Sequence, residues 1–144
     1  MEVEWKFIGG RELKAALAEL PKKIERRVTR RALLAGSRLF AKRIRNVLPR
    51  GGQTSPDSKK YGPLHKNVIV RRPRLNGTEM SVRVGYHSDG FYGVWLEYGN
   101  SRQAPNPIWR RNAPIIWPDV QKVIKDKLAK DIPVEAAKAF RKTI

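Results

Sequence analysis

The chain opens on strict alternation. Val3, Trp5 and Phe7 are apolar while Glu2, Glu4 and Lys6 between them are charged, so a period of two predicts a half-buried strand over residues 2–8. Gly9-Gly10 ends it. Leu13, Leu17 and Leu20 then recur at helical spacing, and Pro21 interrupts that short helix while suiting the first position of a second. The second helix is expected to run to about Val47, where Leu48-Pro49 closes it, and at about 1.5 Å per residue it would be roughly 40 Å long. It carries two apolar stripes. Ile24, Val28, Ala35 and Leu39 share one face, and Leu33, Phe40, Ile44 and Val47 lie nearly opposite in its C-terminal half. A helix apolar on two sides sits between two surfaces. The second surface belongs either to the same chain or to a neighbouring subunit, which makes Leu33, Phe40, Ile44 and Val47 candidates for a subunit interface. Lys23, Arg27, Arg30, Arg38 and Arg45 fall on a third strip, which is basic.

Residues 50–63 are turn formers and charges without periodicity, the pattern of a mobile loop most open to proteases. A hairpin follows. Residues 67–74 and 80–86 flank Leu75-Asn76-Gly77-Thr78, and Asn-Gly predicts a type I′ turn. Alternation turns Val68, Val70, Val82 and Val84 inward and Arg71 and Arg83 outward, and Pro73 marks the first strand as an edge. Residues 91–98 fit strict alternation as well as a helical face; a short helix stopped by Gly99 is the preferred reading, with Phe91, Trp95 and Tyr98 on one face, which predicts a buried Trp95. A polar loop over 100–107 leads to Ile108-Trp109. From Trp117 to the end Val120, Ile124 and Leu128 share a helical face, with Pro118 near the start and Pro133 as a break. The sum is an α+β fold in a single domain over residues 1–144: a long N-terminal helix packed on a small antiparallel sheet, with a C-terminal helix.

Charge changes the picture more than composition does. There are 31 Lys and Arg against 13 Asp and Glu, a net +18, and residues 21–50 alone hold 11 cations against the single acid Glu25. Such a field attracts polyanions or an acidic protein surface. The strip on the long helix, with Arg71, Arg72 and Arg74 near the hairpin, offers phosphate or carboxylate contacts that carry affinity without sequence specificity. Without cysteine there are no thiolate metal sites. His65 and His87 stand 22 positions apart with no carboxylate at ligand spacing, and no nucleophile, phosphate-loop or dinucleotide motif appears. Neither a catalytic set, a metal site nor a cofactor is expected. Glu97, the one acid in an aromatic run, reads as the partner of a nearby Arg rather than as a general base. No apolar run approaches a membrane span, and the acidic start from Met1 to Trp5 is unlike a signal peptide.

Three segments in order carry a resemblance. Tyr61-Gly62-Pro63-Leu64-His65-Lys66-Asn67-Val68 looks like the "T-G-x-L-x-x-S-I" segment of a family of tailed-phage neck and tail-completion proteins, with Tyr61 and Asn67 in place of Thr and Ser. Phe91-Tyr92-Gly93-Val94-Trp95-Leu96-Glu97-Tyr98-Gly99 is similar to its "Y-A-x-F-L-E-F-G-T", and Ala104-Pro105-Asn106-Pro107-Ile108-Trp109-Arg110 resembles its "P-A-R-P-F-L-R". Carried over residue by residue, the structural signature is Gly62, Leu64, Tyr92, Trp95, Leu96, Glu97, Tyr98, Gly99, Pro107, Trp109 and Arg110. The resemblance implies a non-enzymatic virion protein, made in the host cytoplasm and placed at the head–tail junction. It implies a homo-oligomeric ring, a hexamer, around the DNA channel, with other neck and tail proteins as partners and no membrane. Within such a protein Glu97 would fix the Arg-rich segment that follows it, and Gly99 would take a left-handed turn. The competing reading is a free-standing basic protein that binds DNA without sequence specificity. A nuclease would need convergent carboxylates that this chain does not supply.

Overall fold

Both stripes of the long helix are used within the chain. In the computed structural model, which describes residues 2–5, 11–49, 60 and 62–143, helix α1 covers Arg11–Ala18 and helix α2 covers Lys22–Val47. Pro21 opens α2, its carbonyl accepting the N–H groups of Ile24 and Glu25 at 2.9 Å. Leu48, held extended before Pro49, closes it. One side of α2 packs along a second long helix, α4 (Ile108–Thr143), and another packs on the sheet. Leu33, Phe40 and Ile44 are 4 %, 0 % and 0 % exposed inside this core, so they are not interface residues. The second surface is the chain's own. Of those four candidates only Val47 stays open, at 42 %. Against α4, a methyl group on Gly36 would lie 2.6 Å from Cγ1 of Ile124, so any larger residue must displace that side chain.

The sheet is built around β4 (Glu79–Tyr86), with all pairings antiparallel. β1 (Glu2–Trp5) pairs with it through Val3 opposite Val84, and β2 (Val68–Val70) through Val70 opposite Val84 and Val68 opposite Tyr86. β3 (Arg74–Asn76) pairs with it through Arg74 opposite Ser81 and Asn76 opposite Glu79. The predicted first strand of the hairpin is therefore broken. From Val70 to Arg74 is four steps while the partner moves three, from Val84 to Ser81, so one extra residue bulges out at the non-donating Pro73. The turn also differs from the expected type I′. Asn76 is the last strand residue, and only Gly77 of the two turn residues has positive φ, at 61°, as a type II′ turn requires. Val68, Val82 and Val84 are buried as alternation predicts, and Val70 packs against the core.

The C-terminal helix departs most from expectation. It starts at Ile108, not near Trp117, and continues through Pro114, Pro118 and Pro133. All three prolines are exposed, so the carbonyls they leave without an N–H partner lie on the solvent side, where water satisfies them. The opposite side carries Ile116, Val120, Ile124, Leu128 and Ile132 into the core. That stripe, worth roughly 1.5–3 kcal/mol per buried side chain, outweighs the helix-breaking tendency of Pro133. Residues 6–8 of the predicted first strand, and the predicted mobile loop apart from Lys60, Gly62 and Pro63, lie outside the described residues.

Candidate functional site

The signature residues converge on the start of α4. Helix α3 (Gly93–Tyr98) follows β4 through a short turn, and a methyl on Gly93 would overlap the ring of Tyr86. Glu97 is 1 % exposed. Its Oε2 accepts the N–H of Trp109 at 3.0 Å, and its Oε1 accepts the N–H of Arg110 at 2.9 Å and the Nε of Arg110 at 3.3 Å. The first N–H groups of a helix have no partner within it and carry its positive dipole end, so a carboxylate there is doubly favoured. Glu97 thus caps α4 from another element. Arg110 Nη2 returns a bond to the carbonyl of Glu97 at 3.0 Å, and its guanidinium lies 4.8 Å over the ring of Tyr98. Gly99 has φ +74°, and any Cβ there would meet Gln103 and Pro105 at 2.9 Å. It lets Asn100 and Gln103 close a tight turn, after which the N–H of Asn106 reaches the carbonyl of Leu96 at 2.7 Å. Pro107 then leads into α4.

Other members tie the motif to the rest of the fold. The Tyr92 hydroxyl donates to the carbonyl of Gly62, joining two of the three segments, and Leu64 is buried beside them. The indole N–H of Trp109 donates to the Tyr86 hydroxyl at 2.6 Å, a pairing that no spacing in the sequence announces.

Trp95 is the correction. It is 42 % exposed, beside Phe91 at 41 % and Tyr98 at 55 %. The three do share a face, but the opposite face of α3, with Gly93, Leu96 and Glu97, is the one that meets the core. A short helix has one inward side, and the capping carboxylate takes it. Trp95→Ala should therefore cost about 1 kcal/mol or less in a thermal melt, whereas a loss of about 3 kcal/mol or more would mean that the ring is packed.

Lys23, Arg30 and Arg38 are exposed along α2, as are Arg71, Arg72 and Arg74 near the hairpin. Arg27 and Arg45 are already engaged: Nη2 of Arg45 donates to the carbonyl of Val68 at 2.6 Å, and Nη2 of Arg27 donates to Oε2 of Glu135 at 2.7 Å. Arg31 adds a bond to Oε1 of Glu135 at 3.4 Å, and Nζ of Lys138 lies 3.7 Å from the same oxygen. Glu135 is 3 % exposed. The hydrogen bond from Arg27 holds its carboxyl below the ordinary carboxylate range, against burial, with the charges of Arg27, Lys138 and Arg31 acting in the same direction. This cluster was hidden by reading Pro133 as a helix break. Carried through that proline, the stripe Ile124, Leu128, Ile132 continues to Glu135, and a carboxylate on an apolar face is the signal for it.

Among the described residues no group of three or more His, Asp or Glu side chains could hold a metal ion, and no helix is long and apolar enough to cross a membrane. The model of the HK97-gp10-like family, described as "Bacteriophage HK97-gp10, putative tail-component", matches residues 11–99. Neither the curated proteins nor the solved structures give a match. The match takes in two of the three segments on which the sequence resembles phage neck proteins and stops before the third, at Gly99.

Proposed function

The chain belongs to the HK97-gp10-like family of phage tail components, and we propose that it completes the tail at the head–tail junction, as a hexameric ring around the DNA channel. The observation that carries this reading is the exposed strip of Lys23, Arg30 and Arg38 on α2. A cationic wall without built pockets attracts passing DNA without arresting it, because contacts to phosphate read no sequence. The embedded acid Glu97 is spent on capping a helix, so the signature serves architecture rather than bond-making. Self-association finds its support on the aromatic face of α3, since both stripes of α2 are already covered. Exposed aromatic side chains grouped on one face are characteristic of protein interfaces.

Reversing two charges on the strip tests the proposal. Arg27 is a poor choice, because Arg27→Glu would also break its bond to Glu135 and set two carboxylates against each other. Arg30→Glu with Arg38→Glu should leave the circular dichroism spectrum and melting temperature unchanged, because exposed charges contribute little to stability. Phage carrying both changes should accumulate unjoined heads and tails, or joined particles that fail to deliver DNA. Normal plaque yield from the double variant would reduce the strip to a solvated face.

A further inference from the structure

The cations around Glu135 line a hollow that the strip does not share. The beginning of α2 and the end of α4 enclose a cleft of about 270 Å³. Ile24 and Ala139 give it an apolar wall, while Arg27, Lys138, Arg141 and Lys142 line it together with a single carboxylate, Glu135. Four positive charges against one negative leave the cleft strongly underneutralised, and Arg141 and Lys142 are exposed at its rim. Glu135 already engages Arg27 and Arg31, at 2.7 and 3.4 Å, so the excess positive charge of the cleft rests mainly on Arg141 and Lys142.

We propose that this cleft docks an acidic peptide segment of a neighbouring virion protein, with an apolar side chain against Ile24 and Ala139 and carboxylates on Arg141, Lys142 and Lys138. Two features favour a peptide over nucleic acid. A concave site with an apolar wall suits a side chain, whereas a duplex presents a convex, uniformly charged backbone. The four cations of the cleft also stand together at one end of the helix pair, so they can anchor a partner while the open strip along α2 stays loose. The inference needs only that a tail component meets another virion protein, and it does not depend on the ring or its stoichiometry.

The test uses the full chain and a labelled synthetic peptide alternating glutamate and leucine, followed by fluorescence anisotropy. Arg141→Ser with Lys142→Ser should weaken the peptide about tenfold, while Lys122→Ser with Lys125→Ser, which removes the same charge from the middle of α4, should weaken it less than about twofold. Both pairs are exposed, so both variants should melt with wild type. In the isotope-labelled protein, peptide shifts should centre on residues 24–27 and 138–142. Equal weakening by the two pairs would reduce the effect to net charge and overturn the proposal, as would a peptide that does not bind. A duplex of about 20 base pairs that loses more affinity than the peptide when Arg141 and Lys142 are replaced would assign the cleft to nucleic acid instead. Failure here leaves the virion phenotype of the Arg30 and Arg38 reversal untouched, so the two readings fall separately.

Discussion

Trp109→Ala should lower the stability of the folded chain by about 3–5 kcal/mol, the largest single effect expected from any side chain described here. Trp109 is 1 % exposed. Its ring stands edge-on to Tyr86 at 5.2 Å between centroids and tilted against Phe40 at 5.8 Å, so it joins β4, α2 and α4 at one point. Truncation removes the transfer energy of the ring and leaves a cavity that three rigid elements cannot close. It also strips the Tyr86 hydroxyl of its indole donor. That hydroxyl is already pushed up to about 12 by burial, with the Trp109 bond acting in the opposite direction. Urea denaturation followed by circular dichroism measures the loss. Trp109→Phe, which keeps an aromatic ring but no N–H, should fall between the two, and an alanine variant within about 1 kcal/mol of wild type would show that the ring is not the centre of the core.

Glu97→Ala should cost about 2–4 kcal/mol, the sum of two lost helix-capping bonds and the carboxylate's interaction with the positive end of α4. The effect should be local in origin. Amide hydrogen exchange should accelerate first at Trp109 and Arg110, whose N–H groups lose their acceptor. Arg110→Ala, which breaks the ion pair but keeps the cap, should cost far less, because the side chain of Arg110 is 55 % exposed. If the two variants lose stability equally, the ion pair and not the cap holds the motif.

The parts of the fold written in spacing were legible. Helix α2, its end at Leu48, the place of the hairpin and the short helix before Gly99 follow from periodicity, whereas the hairpin's turn type and the break at Pro73 do not. Features that depend on a distant partner were not. The start of α4 at Ile108 has no local capping residue, since Pro107 precedes it and the acceptor is Glu97, many residues earlier. The continuation through Pro133 depends on burial of a stripe that only tertiary packing reveals. Burial also decides between faces that sequence treats as equal, which is why α3 turns Glu97 inward and Trp95 outward. Among the basic residues, spacing groups Arg27 with Arg30 and Arg38, yet it carries no information about Glu135, which separates Arg27 from the other two.

The cap that Glu97 places on a helix of another segment has a consequence for what counts as the domain. Residues 11–99 are the part that matches the family model, but without α4 they should not fold on their own. Cut after Gly99, α2 would face water along the side where Trp109, Val120, Ile124 and Leu128 now lie, and Glu97 would be a carboxylate drawn into an apolar setting with no helix to receive it. The final helix, outside the region by which the family is recognised, must therefore dock before the recognised part becomes stable. In folding terms the two should behave as one cooperative unit, in which residues 108–143 complete what residues 11–99 begin.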